Sequence, residues 1–278
     1  MSEPLSFSFE FIPPATQEDV GRLMEAVEVI VPLRPSFISL SSPAQRVLPY
    51  RATDVLSQIH RAYDIPVVAH LTGIGKRRDD IRHAVEALVE AGATQVMVLR
   101  GDLPLDGVMP PGDFLHASDL VAFLREIKAP FRIGAACYPS IHPEAASAAD
   151  DLQHLKQKVD AGVDFLVSQM FFDPESFITF TAAAWEAGIH TPIIPGIMPI
   201  VRAGQTQSFA RKCGVAIPEN IRAEFVLHDP AEDISAFGQE MAVVQCQALL
   251  RTGIRSFHFY TLNQASVALS ICERLRGL

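Results

Sequence analysis

Short apolar runs separated by stretches of helical periodicity recur from one end of the chain to the other. The runs fall at residues 7–11, 37–40, 67–70, 96–99, 132–137, 165–169, 193–197 and 257–260 and are rich in valine, isoleucine and phenylalanine. Their length and composition suit buried strands of a parallel sheet. Between them, TQEDVGRLMEAVEVI, DDIRHAVEALVEAG, ADDLQHLKQKVDAG and DISAFGQEMAVVQCQALLRTG repeat apolar residues at helical spacing. Thr16 is the expected cap of the first helix, with Asp19 in the first turn, where the helix dipole favours an acid. Gly92, Gly162, Gly188 and Gly253 each close a helical stretch before an apolar run, the position where glycine accepts a left-handed backbone. Strict alternation of eight strands with helices predicts an α/β fold, a (β/α)8 TIM-type barrel, as one domain over residues 1–278. The competing doubly wound sheet normally opens with G-x-G-x-x-G, and none follows the first strand.

Composition narrows the function classes. The chain has 278 residues, 49% hydrophobic and 20% charged, with a net charge of -9 and no sustained basic block. Nucleic acid is therefore not an expected partner, because binding it rests on neutralising phosphates. No apolar run reaches the length of a membrane span, and MSEPLSFSFE lacks the basic start and apolar block of a signal peptide. Cys137, Cys213, Cys246 and Cys272 form no C-x-x-C pair, which points to a reducing cytoplasm rather than to disulfides or zinc. No metal is expected: the first strand has no His-x-His, and His258 stands alone in FHFY. No G-x-S-x-G or Cys/His signature suggests a nucleophile.

Chemistry in such barrels sits at the carboxyl ends of the strands, and the unusual polar residues of this chain cluster there. Glu10 ends strand one, Ser41 and Ser42 strand two, and His70 and Thr72 strand three; Arg100, Gly101 and Asp102 end strand four. Tyr138 and His142 follow strand five, Gln169 ends strand six, and Thr261 and Asn263 follow strand eight. Each also has a plain structural reading. Glu10 can close an ion pair with Arg100, His70 can be a hydrogen-bonded core histidine, and Asp102 can form a turn before Pro104. Tyr138 and Gln169 can be satisfied by backbone, and Asp151 and Lys158 can lie on a solvated helix face.

Taken together, FSFEFIPP, AHLTG, LRGDLP, HASDL, YPSIHPEA, DLQHLKQKVDAG, SQMFFD, IIPGIMPI and FHFYTLN resemble the bacterial methylenetetrahydrofolate reductase family in order and over essentially the whole chain. The length matches that family's catalytic barrel without the regulatory extension of eukaryotic members. The resemblance implies FAD on the carboxyl-end face and 5,10-methylenetetrahydrofolate and NADH or NADPH as substrates; a homo-oligomer is expected. It implies that Glu10 is the general acid that protonates the departing folate nitrogen, kept protonated by Phe7, Phe9 and Phe11. Asp102 takes the family's place near flavin and folate, and Gln169 the place that recognises the substrate ring; Gln264 stands where an arginine is common. Ser41, His70, Arg100, Gly101, His116, Ala117, Tyr138, His142, Asp151 and Lys158 match cofactor-contacting positions. Departures fall in SSP after strand two, at Arg202 and Ala203 after strand seven, and at His154 and Gln157 beside Lys158. They leave open the same reduction with electrons from a partner protein or without flavin, and a folate-binding paralogue without turnover.

Overall fold

The computed structural model describes residues 4–41, 52–104 and 107–277. The strands are β1 (Ser6–Phe11), β2 (Phe37–Leu40), β3 (Val67–Thr72), β4 (Gln95–Leu99), β5 (Arg132–Cys137), β6 (Phe165–Ser168), β7 (Ile193–Ile194), β8 (Gly196–Ile197) and β9 (Ser256–Tyr260). Around them run α1 (Gln17–Ile30), α2 (Ala52–Tyr63), α3 (Arg78–Glu90), α4 (Ala117–Glu126), α5 (Ala148–Asp160), α6 (Pro174–Glu186), α7 (Ala203–Cys213), α8 (Glu219–Val226), α9 (Ser235–Arg251) and α10 (Ala265–Arg276). All neighbouring strands pair in parallel, and β1 pairs with both β2 and β9, so the sheet curls into a nearly closed barrel. The expected fold class holds. No helix of the described residues is long and apolar enough to cross a membrane.

The seventh strand differs from expectation: it is broken at Pro195 into β7, which pairs with β6, and β8, which pairs with β9. Proline has no N–H to give to a ladder; the Pro195 carbonyl still accepts from His258 N at 3.0 Å. The short helix α8 was also not evident in the sequence pattern. Its Ile221 and Phe225, one turn apart, join Met198, Ile200, Ala210, Val215 and Ile234 in a small core beside the broken strand.

Local signals elsewhere act as anticipated. Thr16 Oγ1 accepts from Asp19 N at 3.1 Å, and the Asp19 carboxylate accepts from Thr16 N at 3.0 Å, closing a capping box on α1. Gly92 turns at φ +81°, which a side chain rarely tolerates.

Alternation along β1 sets up the site. Phe7, Phe9 and Phe11 point outward, where they pack with Leu23 and Val27 of α1 and Ile271 and Leu275 of α10. Each is at most 1% exposed, and each contributes on the order of 2 kcal/mol through burial. Ser8 and Glu10, on the opposite face of the strand, point into the barrel. A second apolar cluster of Phe37, Val68, Met97, Phe165 and Val167 fills the interior around them.

Gly196 lies where backbone and ring leave no room. A Cβ there would fall 2.1 Å from the Ser168 carbonyl oxygen and 2.6 Å from the Tyr260 ring. Gly196→Ala is expected to cost about 1–3 kcal/mol, seen as a lower urea midpoint with an unchanged slope.

Candidate active site

Glu10 sits among imidazoles, not phenylalanines. Its Oε2 is 3.2 Å from His70 Nε2 of β3 and 3.7 Å from His258 Nε2 of β9. His258 is 1% exposed. Its Nδ1 lies 2.9 Å from Ser8 Oγ, and its ring stacks on Phe37 at 5.4 Å between centroids. Tyr260 meets the other side of His258 edge-on and donates its hydroxyl to the Ser168 carbonyl at 2.8 Å. The Glu10 carbonyl is fixed in turn by Thr261 N and Oγ1.

This corrects the expectation that Phe7, Phe9 and Phe11 hold Glu10 protonated, because sequence neighbours on a strand face away from each other. Burial does push the carboxyl up, but His70 and His258 outweigh burial and hold it at about 2. Neither contact has hydrogen-bond form, since His70 Nε2 is misaligned and His258 is too far. Their charge and their short polar contacts with the carboxylate lower it together. Arg100 does not pair with Glu10. It forks onto Glu144 at 2.5 and 2.6 Å, and this contact, more than burial opposes it, lowers the Glu144 carboxyl.

A cavity of about 280 Å³ opens between the ends of β4 and β5 and the helices α4 and α5. Arg100, His116, Ala117, Tyr138, His142, Asp151 and Lys158 all line it, so the structure brings these seven anticipated residues together. Lys158 Nζ reaches from α5 to the Ala136 carbonyl at 2.6 Å; burial lowers its pKa, against the pull of Cys137 and Asp151. Asp151 Oδ2 accepts from His142 N at 2.9 Å. His142 Nδ1 accepts from Glu144 N at 3.1 Å, which puts the proton of the neutral ring on Nε2. Burial favours that neutral ring by lowering the His142 pKa, and it pushes the Tyr138 phenol up to about 12.

The remaining anticipated residues stand at the barrel mouth. Gly101 turns at φ +95°, and Ile74 crowds the place a Cβ would take. Asp102 is exposed and pairs with Lys212 Nζ of α7 at 3.1 Å. Ser41 N donates to the Phe11 carbonyl at 3.0 Å; Ser42 and Pro43 lie outside the described residues. Gln169 Oε1 accepts from Met170 N, leaving its NH2 free to donate. Gln264 is exposed on the loop after β9. Sequence reasoning missed His258 with Ser8, Glu144 and Lys212. For His258 a signal existed, because it alternates in register with Tyr260 on a strand whose phenylalanines face out.

A parallel barrel with a carboxylate–imidazole cluster and a side cavity that carries Arg100, Tyr138, Asp151 and Lys158, both at the carboxyl ends of the strands, has the layout of a barrel enzyme. Residues 2–276 match the family described as methylenetetrahydrofolate reductase, and the chain belongs to that family. It is 37% identical over 272 residues to 5,10-methylenetetrahydrofolate reductase of Salmonella typhimurium, covering 98% of this chain and 90% of that protein. It is 34% identical over 284 residues to methylenetetrahydrofolate reductase (NADH) 1 of Arabidopsis thaliana, covering 97% of this chain and 48% of that protein. A Clostridium thermocellum protein solved with two copies of 5-methyl-5,6,7,8-tetrahydrofolic acid shares the fold. The TM-score is 0.71 at 15% identity, over 99% of this chain and 96% of that one.

Replacing His70 and His258 together by asparagine removes the charges that lower Glu10 and leaves burial to raise it. Carbon NMR of labelled glutamate should then show the Glu10 carboxyl titrating above 4.5 instead of near 2. In the unaltered protein Glu10 stabilises the fold above pH 4.5, and that contribution fades as pH falls toward 2. Glu10→Gln should flatten the acid limb of the stability profile over that window.

Proposed function

We propose that this chain reduces 5,10-methylenetetrahydrofolate to 5-methyltetrahydrofolate, with FAD in the cavity between α4 and α5 and NADH or NADPH as donor. The observation that carries the reading is Glu10: a carboxylate inside the barrel, with two imidazoles to exchange protons with, opening toward the mouth. The near full-length likeness to named reductases supports the substrate, and the plant relative's name supports NADH.

The donor set of the cavity fits FAD. The first turn of α4, from Ala117, offers the positive end of a helix dipole to a pyrophosphate, beside the Asp119 carboxylate that caps it from the Leu115 and His116 amides. Lys158 adds a half-buried amine on the same cavity wall, and the Asp151 oxygen not engaged by His142 suits a sugar hydroxyl. Tyr138 offers a ring face to a flat heterocycle, and Arg100, held by Glu144, sets a guanidinium at the inner end. Bound there, FAD supplies hydride transfer from the nicotinamide to the folate.

The work of the chain itself is proton transfer and orientation. The methylene bridge accepts hydride only once its five-membered ring has opened to an iminium, and opening needs a proton on the departing nitrogen. Glu10 delivers it from the neutral form, reached when its carboxylate takes up a proton from the imidazole side of the cluster. Displacing water from the mouth favours that neutral pair over the ion pair. The Gln169 amide N–H donates to the substrate ring. Asp102 stabilises the cationic iminium by its charge, after exchanging Lys212 for the substrate.

The purified chain should be yellow, should release FAD on denaturation, and should bleach with NADH under anaerobic conditions. A colourless protein that takes up no added FAD would remove the flavin from the reading. Glu10→Gln should keep donor oxidation while slowing the folate half-reaction by at least about 100-fold; equal loss of both halves would make Glu10 structural.

A further inference from the structure

Two polar atoms in the barrel interior make no hydrogen bond among the described residues: Ser39 Oγ and His70 Nε2. Buried polar atoms are nearly always satisfied, so each such atom needs a reason. Ser39 is 1% exposed, and the His70 side chain 8%. They converge on one place. β1 and β2 set Glu10 opposite Ser39 in register, and residues in register on parallel strands send their side chains to the same face. From β3, His70 Nε2 comes within 3.2 Å of Glu10 Oε2 without lining up to bond it. A hydroxyl, an imidazole nitrogen and a carboxylate oxygen thus face one another with two of their hydrogen-bonding atoms unused. This is the partner set a buried water requires.

We propose that Ser39 Oγ, His70 Nε2 and Glu10 Oε2 hold one water between them, and that this water carries the proton that recharges Glu10 after each folate reduction. His70 Nε2 gives up its proton to the water as the water passes one of its own to Glu10 Oε2, and His70 regains a proton from bulk solvent through the exposed 8% of its side chain; no electrons move. The route is needed because the exposed 18% of the Glu10 side chain is the side substrate covers. Ser39 is then a positioning residue that touches neither folate nor cofactor and acts by fixing the water. The titratable groups that reach Glu10 are His70 on β3 and His258 and Tyr260 on β9; Ser39 is what β2 contributes. The inference rests on the reading of Glu10 as proton donor, but its first test does not.

That test is a crystal structure of the ligand-free protein at about 1.2 Å, near the limit where hydrogens show. A water bonded to Ser39 Oγ and to His70 Nε2 or Glu10 is expected; a dry gap, or a Ser39 hydroxyl turned onto backbone, overturns the proposal. The second test is single-turnover folate reduction against pH for Ser39→Ala and Ser39→Thr, with donor oxidation measured on the same samples. Ser39→Ala should slow the folate half at least about tenfold and shift the pH at which its rate falls. Ser39→Thr should restore both, with donor oxidation unchanged throughout. A Ser39→Ala profile that overlays the unaltered protein overturns the relay. If the unaltered protein reduces no folate, the function proposed above fails, and the crystal still decides the water.

Discussion

The interior of a closed parallel barrel admits every second residue of each strand, and that constraint governs the rest of this molecule. On β1 it sends three phenylalanines out to the helices and a serine and a glutamate inward. The outward set anchors the first and last helices to the barrel wall. The inward set leaves a carboxylate where burial alone opposes its charge. Glu10 is tolerable there because β3 and β9 deliver His70 and His258 to the same level. The fold and the acid–base cluster are thus two results of one alternation.

The other charges of the site are likewise met by partners within the chain. Arg100 is engaged by Glu144, Lys212 by Asp102, and Lys158 by a strand carbonyl. A ligand entering such a site exchanges partners rather than neutralising bare charge, so its net electrostatic gain is a difference between two sets of contacts. The most exposed of the three pairs, Lys212 with Asp102, is the most readily exchanged, since solvent already screens it. The forked Arg100–Glu144 pair is shorter, less exposed on its arginine side and more directional, and it serves as part of the cavity wall.

Much of the barrel was legible in the sequence because its signals are local. Apolar runs, glycines at helix ends and the Thr16 capping pair each depend on a few adjacent residues. The anticipated cofactor residues around Tyr138 and Lys158 converge for a similar reason, since β5, its loop and α5 are consecutive. What stayed hidden depends on distant pairings. Glu10 meets His258 across almost the full length of the chain, and only the β1–β9 register reveals it. Phe9 and Phe11 are near Glu10 in the sequence and on the other side of the strand in space. The α8 helix escaped notice because two buried residues in eight give little periodic signal. Pro195 was visible, yet the apolar residues on both sides of it made one strand of what is two.

That break gives the barrel a seam. Elsewhere neighbouring strands share three to five registered pairs, whereas β6–β7 and β8–β9 share two each. The side-chain core under α7 and α8 supplies cohesion that the hydrogen-bond ladder lacks there. Packing of that kind is less directional than a ladder, so local opening of the wall is expected along this line first, against the hold of the Tyr260 hydroxyl on the Ser168 carbonyl. The line runs between Gln169 and Tyr260, next to the Glu10 cluster. Among the described residues the thinnest part of the ladder thus lies beside the most closely coupled charges.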